Sequence, residues 1–214
     1  LLFERGRGQR VRYQFKHALI QDAAYGSLVR RKRQELHQHI AEALETKTED
    51  AVARQPELLA HHFSEAGNAA KGVEYWLKAG RRANQQSANA EAIAHLSRGL
   101  ELLEKLDEDA DRDKFELDLR VTLAVPLTAT KGYVAAEVEA EYARALELAR
   151  KAGNIEDLLP VLHGLYRYYI VQADNQQARK LGEEILASSQ QLNDPGHIME
   201  AHRSLCLTLA FIGE

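Results

Sequence analysis

Four groups of residues in this sequence have types that could do chemistry: histidines, one cysteine, a tyrosine cluster and a basic run. His37 and His39, and His61 and His62, lie close enough together to suggest metal ligation. On a helix, adjacent or alternate residues point about 100–200° apart, so neither pair chelates from one face. Glu57, His61 and Glu65 do share a face, but no fourth ligand is in register for a tetrahedral set. The histidines read as packed or solvated, and no metal is expected. Cys206 has no histidine at a fixed spacing and falls on a small-residue position, so it reads as core filler rather than a nucleophile. As the sole cysteine it excludes an internal disulfide and fits a reducing, cytoplasmic setting. Tyr166, Tyr168 and Tyr169 could stack a ligand; Tyr166 and Tyr169 occupy packing positions, which leaves Tyr168 for the surface. The run Arg30–Arg33 could hold phosphates, although such runs are usually solvated or packed within the fold. No G-x-x-x-x-G-K-[ST] loop occurs, and no strand carries a pair of aspartates. The chain is therefore expected not to be an enzyme, with no catalytic residue and no cofactor.

The elements that must position these residues are helices. Ala, Leu, Glu, Arg and Gln dominate a chain of 214 residues with only 4 Pro, and 45% hydrophobic with 28% charged residues is ordinary for a folded domain. From Val73 to Leu106 the sequence reads as two helices broken near Ser87–Asn89. Trp76, Ala79, Gly80 and Ala83 fall at spacings of three, one and three, and Ala92 follows nine residues after Ala83, with Leu96 four later. This is close to the tetratricopeptide pattern, in which a large residue fills the space between paired helices and small ones let the backbones approach. Leu162, Leu165, Tyr166 and Tyr169 repeat the spacing, with Ala178 nine residues beyond Tyr169; His202, Leu205, Cys206 and Leu209 continue it. The equivalent positions Ala92, Val138 and Ala178 are 46 and 40 residues apart, so the repeats are long and irregular. The fold expected is all-α, a right-handed superhelix of tetratricopeptide-like helix pairs. Pro126 should kink the helix after the acidic linker Asp107–Asp111.

The N-terminal part differs. Leu1–Glu4 and Val11–Lys16 read as strands of a short β-hairpin around Gly6–Gln9, and helices follow over His17–Val29 and along Leu36, Ile40 and Leu44. Residues 1–33 hold nine Lys/Arg against two carboxylates, a balance of +7; with a formal charge of −4 overall, the remainder carries −11. Such asymmetry marks a boundary: residues 1–50 as one unit, 51–214 as the helical repeats. Phe15 to Tyr25 (FKHALIQDAAY), Arg31, Arg33, Leu36 and His37, and Ile40 to Glu45 (IAEALE), resemble a junction in large bacterial signalling ATPases of the STAND class, including adenylate/guanylate cyclase–ATPase fusions. Leu58 to Phe63, Ala79–Gly80 and Ala88 to Ala92 are similar to that family too. The resemblance implies the end of a winged-helix-like segment followed by tetratricopeptide-like repeats, and any ATPase or cyclase activity would lie upstream.

In stacked helix pairs the first helix of each pair lines the concave face. The register of Trp76, Thr122, Leu162 and His202 places Arg81, Asn84, Gln85, Arg120, Lys131, His163, Arg167 and Arg203 there. Arginine pairs carboxylates and phosphates bidentately, so this stripe is expected to bind an acidic peptide or an acidic segment of the parent protein. The competing expectation is that several pair with Glu74, Glu116 or Glu200. The leading function is thus a protein-interaction or sensor module regulating an N-terminal ATPase or cyclase; the alternative is a nucleic-acid-binding module using the basic N-terminal segment. No apolar run approaches the roughly 18 residues of a membrane span. Leu205, Leu209 and Ile212 are expected to pack on a further helix or to mediate self-association.

Overall fold

The computed structural model describes residues 2–5, 12–15, 17–46 and 55–213. Two strands, β1 (Leu2–Arg5) and β2 (Arg12–Phe15), pair antiparallel with Leu2 opposite Phe15 and Arg5 opposite Arg12. The turn expected at Gly6–Gln9 and the boundary expected at residue 50 lie outside the described residues. The rest is helical: α1 (Ala18–Ser27), α2 (Arg30–Glu45), α3 (Pro56–Ala66), α4 (Ala69–Gln85), α5 (Asn89–Leu103), α6 (Ala110–Lys131), α7 (Ala136–Ala152), α8 (Ile155–Val171), α9 (Asn175–Leu192) and α10 (Pro195–Ile212). From α2 onward each helix packs on the next, and α4 also reaches α6.

Local chemistry sets the breaks. Gly67 and Gly153 end α3 and α7 at φ 83° and 70°, the left-handed region that only glycine enters freely. Asn68, Asp109, Asn154, Asp174 and Asp194 each cap the next helix by accepting a backbone N–H. Asp109 thereby starts α6 inside the stretch expected to be an acidic linker. α6 then runs through Pro126 without interruption.

Trp76 is the wedge its spacing implies. It is 5% exposed, its Nε1 donates to Ser64 Oγ of α3 at 3.0 Å, and its ring stacks on His95 of α5. A Cβ on Gly80 would stand 2.4 Å from Leu96, and one on Gly72 would stand 2.4 Å from Leu102. These glycines let α4 and α5 close. Two further cores continue the stack, one of Leu117, Ala145, Leu148 and Val161, the other of Leu159, Leu162, Ala178 and Ile185.

The helix expected along Leu36, Ile40 and Leu44 forms as α2, which buries His37 and Ala41 and leaves Leu36 and Ile40 exposed. Two expectations are corrected. Tyr168 is buried, not left at the surface: its hydroxyl donates to Glu139 at 2.8 Å and accepts from Gln172. In α10 the register is rotated by about one residue. Ala201, Ser204 and Thr208 face inward, while Cys206 and His202 are exposed. The cause is polar: Tyr166 donates its hydroxyl to the Ser204 carbonyl at 2.6 Å and meets Thr208 Oγ1 at 3.1 Å, which fixes the inward face.

Candidate binding groove

The eight residues expected on the concave face separate by what surrounds them. Arg81 pairs with Asp118 at 3.2 Å, tying α4 to α6. Asn84 does the same by an indirect route. Pro126 has no N–H, so the carbonyl four residues earlier, that of Thr122, lacks its helical donor. Asn84 Nδ2 donates to that oxygen at 3.0 Å. Arg120 bridges Glu116 and Glu141, each at 2.8 Å, and Arg144 of α7 takes the same Glu116 at 2.9 Å. Burial pushes the Glu116 carboxyl up, but hydrogen bonds from Arg144 and Arg120 outweigh it and hold it below the usual carboxylate range. Lys131 pairs with Glu137, and Arg203 with Glu200. Gln85 is exposed at the end of α4. His163 is half-buried; burial lowers its pKa, against the pull of Glu200.

Arg167 is different. It is exposed on α8 and makes no hydrogen bond or ion pair within 4.0 Å among the described residues. It borders a cavity of about 270 Å³ between α6, α7 and α8. Val125 and Ala129 of α6, Tyr133 of the following turn, Val138 and Tyr142 of α7, and Gly164 form most of the lining. Val125 and Tyr133 are 53% and 47% exposed, so this wall is apolar and open. Gly164 makes room for the Tyr142 ring, since a Cβ there would stand 2.2 Å from that ring, which lies against the α8 backbone. Burial raises the Tyr142 hydroxyl pKa, and the Arg167 charge opposes the rise. Beneath, Tyr168 and Tyr169 both donate to Glu139, at 2.8 and 3.3 Å, which fixes the floor. An unpaired guanidinium beside an apolar trough can clamp a carboxylate while the trough takes an aliphatic or aromatic side chain.

The histidines converge in a way sequence spacing did not reveal. His37 of α2 is buried, its Nδ1 lies 2.8 Å from His62 Nδ1 of α3, and its Nε2 lies 3.0 Å from the Tyr25 hydroxyl. One Nδ1 must donate to the other, so the accepting imidazole is neutral, and burial lowers the pKa of each. This hydrogen-bonded row joins α1, α2 and α3. No group of three or more metal-ligating side chains with suitable placement occurs among the described residues. The basic run is partly engaged: Arg31 and Lys32 pair with Glu35, and Arg33 lies over the Tyr25 ring. The side chains of Arg5, Arg7, Arg10, Arg12 and Lys16 lie outside the described residues.

The architecture is all-α, of the helical-repeat kind. No family model matches the chain. An uncharacterized protein of Rhizobium meliloti (strain 1021) is 29% identical over 142 residues, 66% of this chain, and the chain spans 14% of that protein's length. Among solved structures, BtubC (BKLC) from P. vanneervenii aligns over 87% of this chain and 85% of its own, at TM-score 0.59 and 15% identity, a likeness of fold. No helix among the described residues is long and apolar enough to cross a membrane.

Proposed function

We propose that this chain is a cytoplasmic protein-interaction module, its helix pairs stacked as a right-handed superhelix, that binds an acidic peptide segment between α6 and α8. The observation that carries this reading is Arg167, an arginine with no hydrogen bond or ion pair among the described residues, beside an open apolar trough. The ligand would be a partner protein or another domain of the parent chain, with a carboxylate for Arg167 and an apolar side chain for the space beside Val125 and Tyr142. The similarity to a much longer protein and the N-terminal resemblance to STAND-class ATPases support a further step. There the module regulates an ATPase or cyclase carried upstream.

The test is fluorescence anisotropy with a labelled peptide alternating Glu and Leu. Arg167→Ala should weaken binding about tenfold or more, the loss of a charge-assisted bond, with unfolding unchanged because no contact is removed. Val125→Asp, which would offer Arg167 an internal partner across the trough, should weaken it likewise. Binding that survives both substitutions refutes the proposal.

A further inference from the structure

The opposite region of the stack carries a second feature, independent of the groove. Two adjoining cavities of about 510 Å³ each open where α2, α3 and α5 meet, and share Ser64, Glu65, Leu102 and Lys105. The first is also lined by Arg30 and Arg33 from the first turn of α2, and the second by Arg98 and Glu101 of α5. Elsewhere in the stack, Arg81, Arg82, Arg120, Arg144, Arg150 and Lys151 each face a carboxylate partner. Here they do not. Arg30 and Lys105 make no side-chain hydrogen bond or ion pair among the described residues, and Arg33 only covers the Tyr25 ring at 5.3 Å. Glu65, the carboxylate of the first cavity, is itself in no ion pair among the described residues.

We infer that the first cavity is a binding site for a small phosphate-bearing anion. Three cations against one carboxylate leave a local balance of +2, which a phosphate dianion neutralises. A concave wall concentrates the positive potential of such a group. The volume lies within the range of small-molecule sites. Arg30 and Arg33 open α2, and Lys105 lies in the turn that follows α5, far later in the sequence, so the fold brings the lysine to the two arginines. Arg33 is held in place by its ring contact, while Arg30 and Lys105 are free to close on a ligand. A guanidinium pair grips phosphate oxygens in a fork, and the lysine adds a point charge.

Isothermal titration with inorganic pyrophosphate tests this, with citrate as the non-phosphate control. Pyrophosphate should bind, and citrate should bind at least tenfold more weakly. Arg30→Ala and Lys105→Ala should each weaken pyrophosphate about tenfold or more, with unfolding midpoints unchanged because neither side chain has a contact to lose. Arg167→Ala should leave pyrophosphate binding intact, which separates this site from the groove. Absence of pyrophosphate binding, equal binding of citrate, or affinity unmoved by Lys105→Ala would overturn the assignment.

Discussion

Asn84 and Pro126 make the sharpest test of the packing argument. Asn84 Nδ2 supplies the hydrogen bond that Pro126 cannot give to the Thr122 carbonyl. Asn84→Ala removes that donor and leaves a partly buried carbonyl unsatisfied, which costs roughly 1–3 kcal/mol. The same substitution deletes Asn84 Oδ1, a buried acceptor without a partner, and so recovers part of the loss. A net destabilisation of about 1 kcal/mol is expected. Pro126→Ala restores the backbone N–H. It gains up to about 3 kcal/mol of helix propensity and loses about 1.6 kcal/mol by removing two buried methylenes. In that background the Thr122 carbonyl has its own donor, and Asn84→Ala should cost less than about 0.5 kcal/mol. The Oδ1 contribution is the same in both backgrounds and cancels in the double-mutant cycle. Urea unfolding of the four proteins measures the coupling, expected at more than about 0.5 kcal/mol. Additive effects would refute the claim that Asn84 stands in for the missing proline donor.

The two tight glycines make a matched pair. Gly80→Ala meets Leu96, which is fully buried and has nowhere to go, so overpacking of about 1–3 kcal/mol should exceed the ~1 kcal/mol that alanine gains in a helix; Gly164→Ala meets the end of the half-exposed Tyr142 ring, which can swing into the trough. Gly164→Ala should therefore unfold near the wild-type midpoint but bind the acidic peptide more weakly, and equal destabilisation of the two variants would contradict this account. For pH, burial lowers the pKa of His37, His62, His95 and His163. A base depressed on folding takes up protons more readily when unfolded, so its contribution is complete above the ordinary value of roughly 6.5 and is lost as pH falls toward the folded values. Urea midpoints should hold from pH 8 to 7 and decline below, and a flat profile down to pH 5 would rule this out.

The helix pairs were legible because their signal is steric and local. Trp76, Gly80 and Leu96 lie within one stretch, and the need for a large residue beside small ones is written in their spacing. What failed depended on partners in other helices. Carrying the apolar register of α8 forward points Cys206 inward, whereas Tyr166 anchors α10 through Ser204 and Thr208 and turns a polar face in. Spacing gives the packing positions to Tyr166 and Tyr169 and leaves Tyr168 for the surface; Glu139, some 30 residues earlier, gives it a buried partner. The row from Tyr25 through His37 to His62 joins residues 12 and 25 apart, and no helical spacing predicts it.

The stripe of basic residues shows how the groove can be told from the scaffold. Along α4 and α6 each cation of the stripe has a carboxylate partner: Asp118 for Arg81, Glu116 and Glu141 for Arg120, Glu137 for Lys131. These pairs fasten neighbouring elements and add specificity of register more than stability, since most are half-exposed. Arg167 stands five residues after Leu162, as Arg81 stands five after Trp76. What differs is the wall it faces, where α6 offers Val125 and Ala129 in place of an acid. An acidic residue at either place would have closed the ladder, as it does one helix earlier. The apolar segment of α6 therefore has two consequences at once. It leaves a guanidinium with no ion pair among the described residues, and it builds the hydrophobic surface that a ligand's next side chain would need. Beside Arg81, Arg120 and Lys131, each held by a carboxylate, that coincidence is the strongest reason to look for the peptide ligand there.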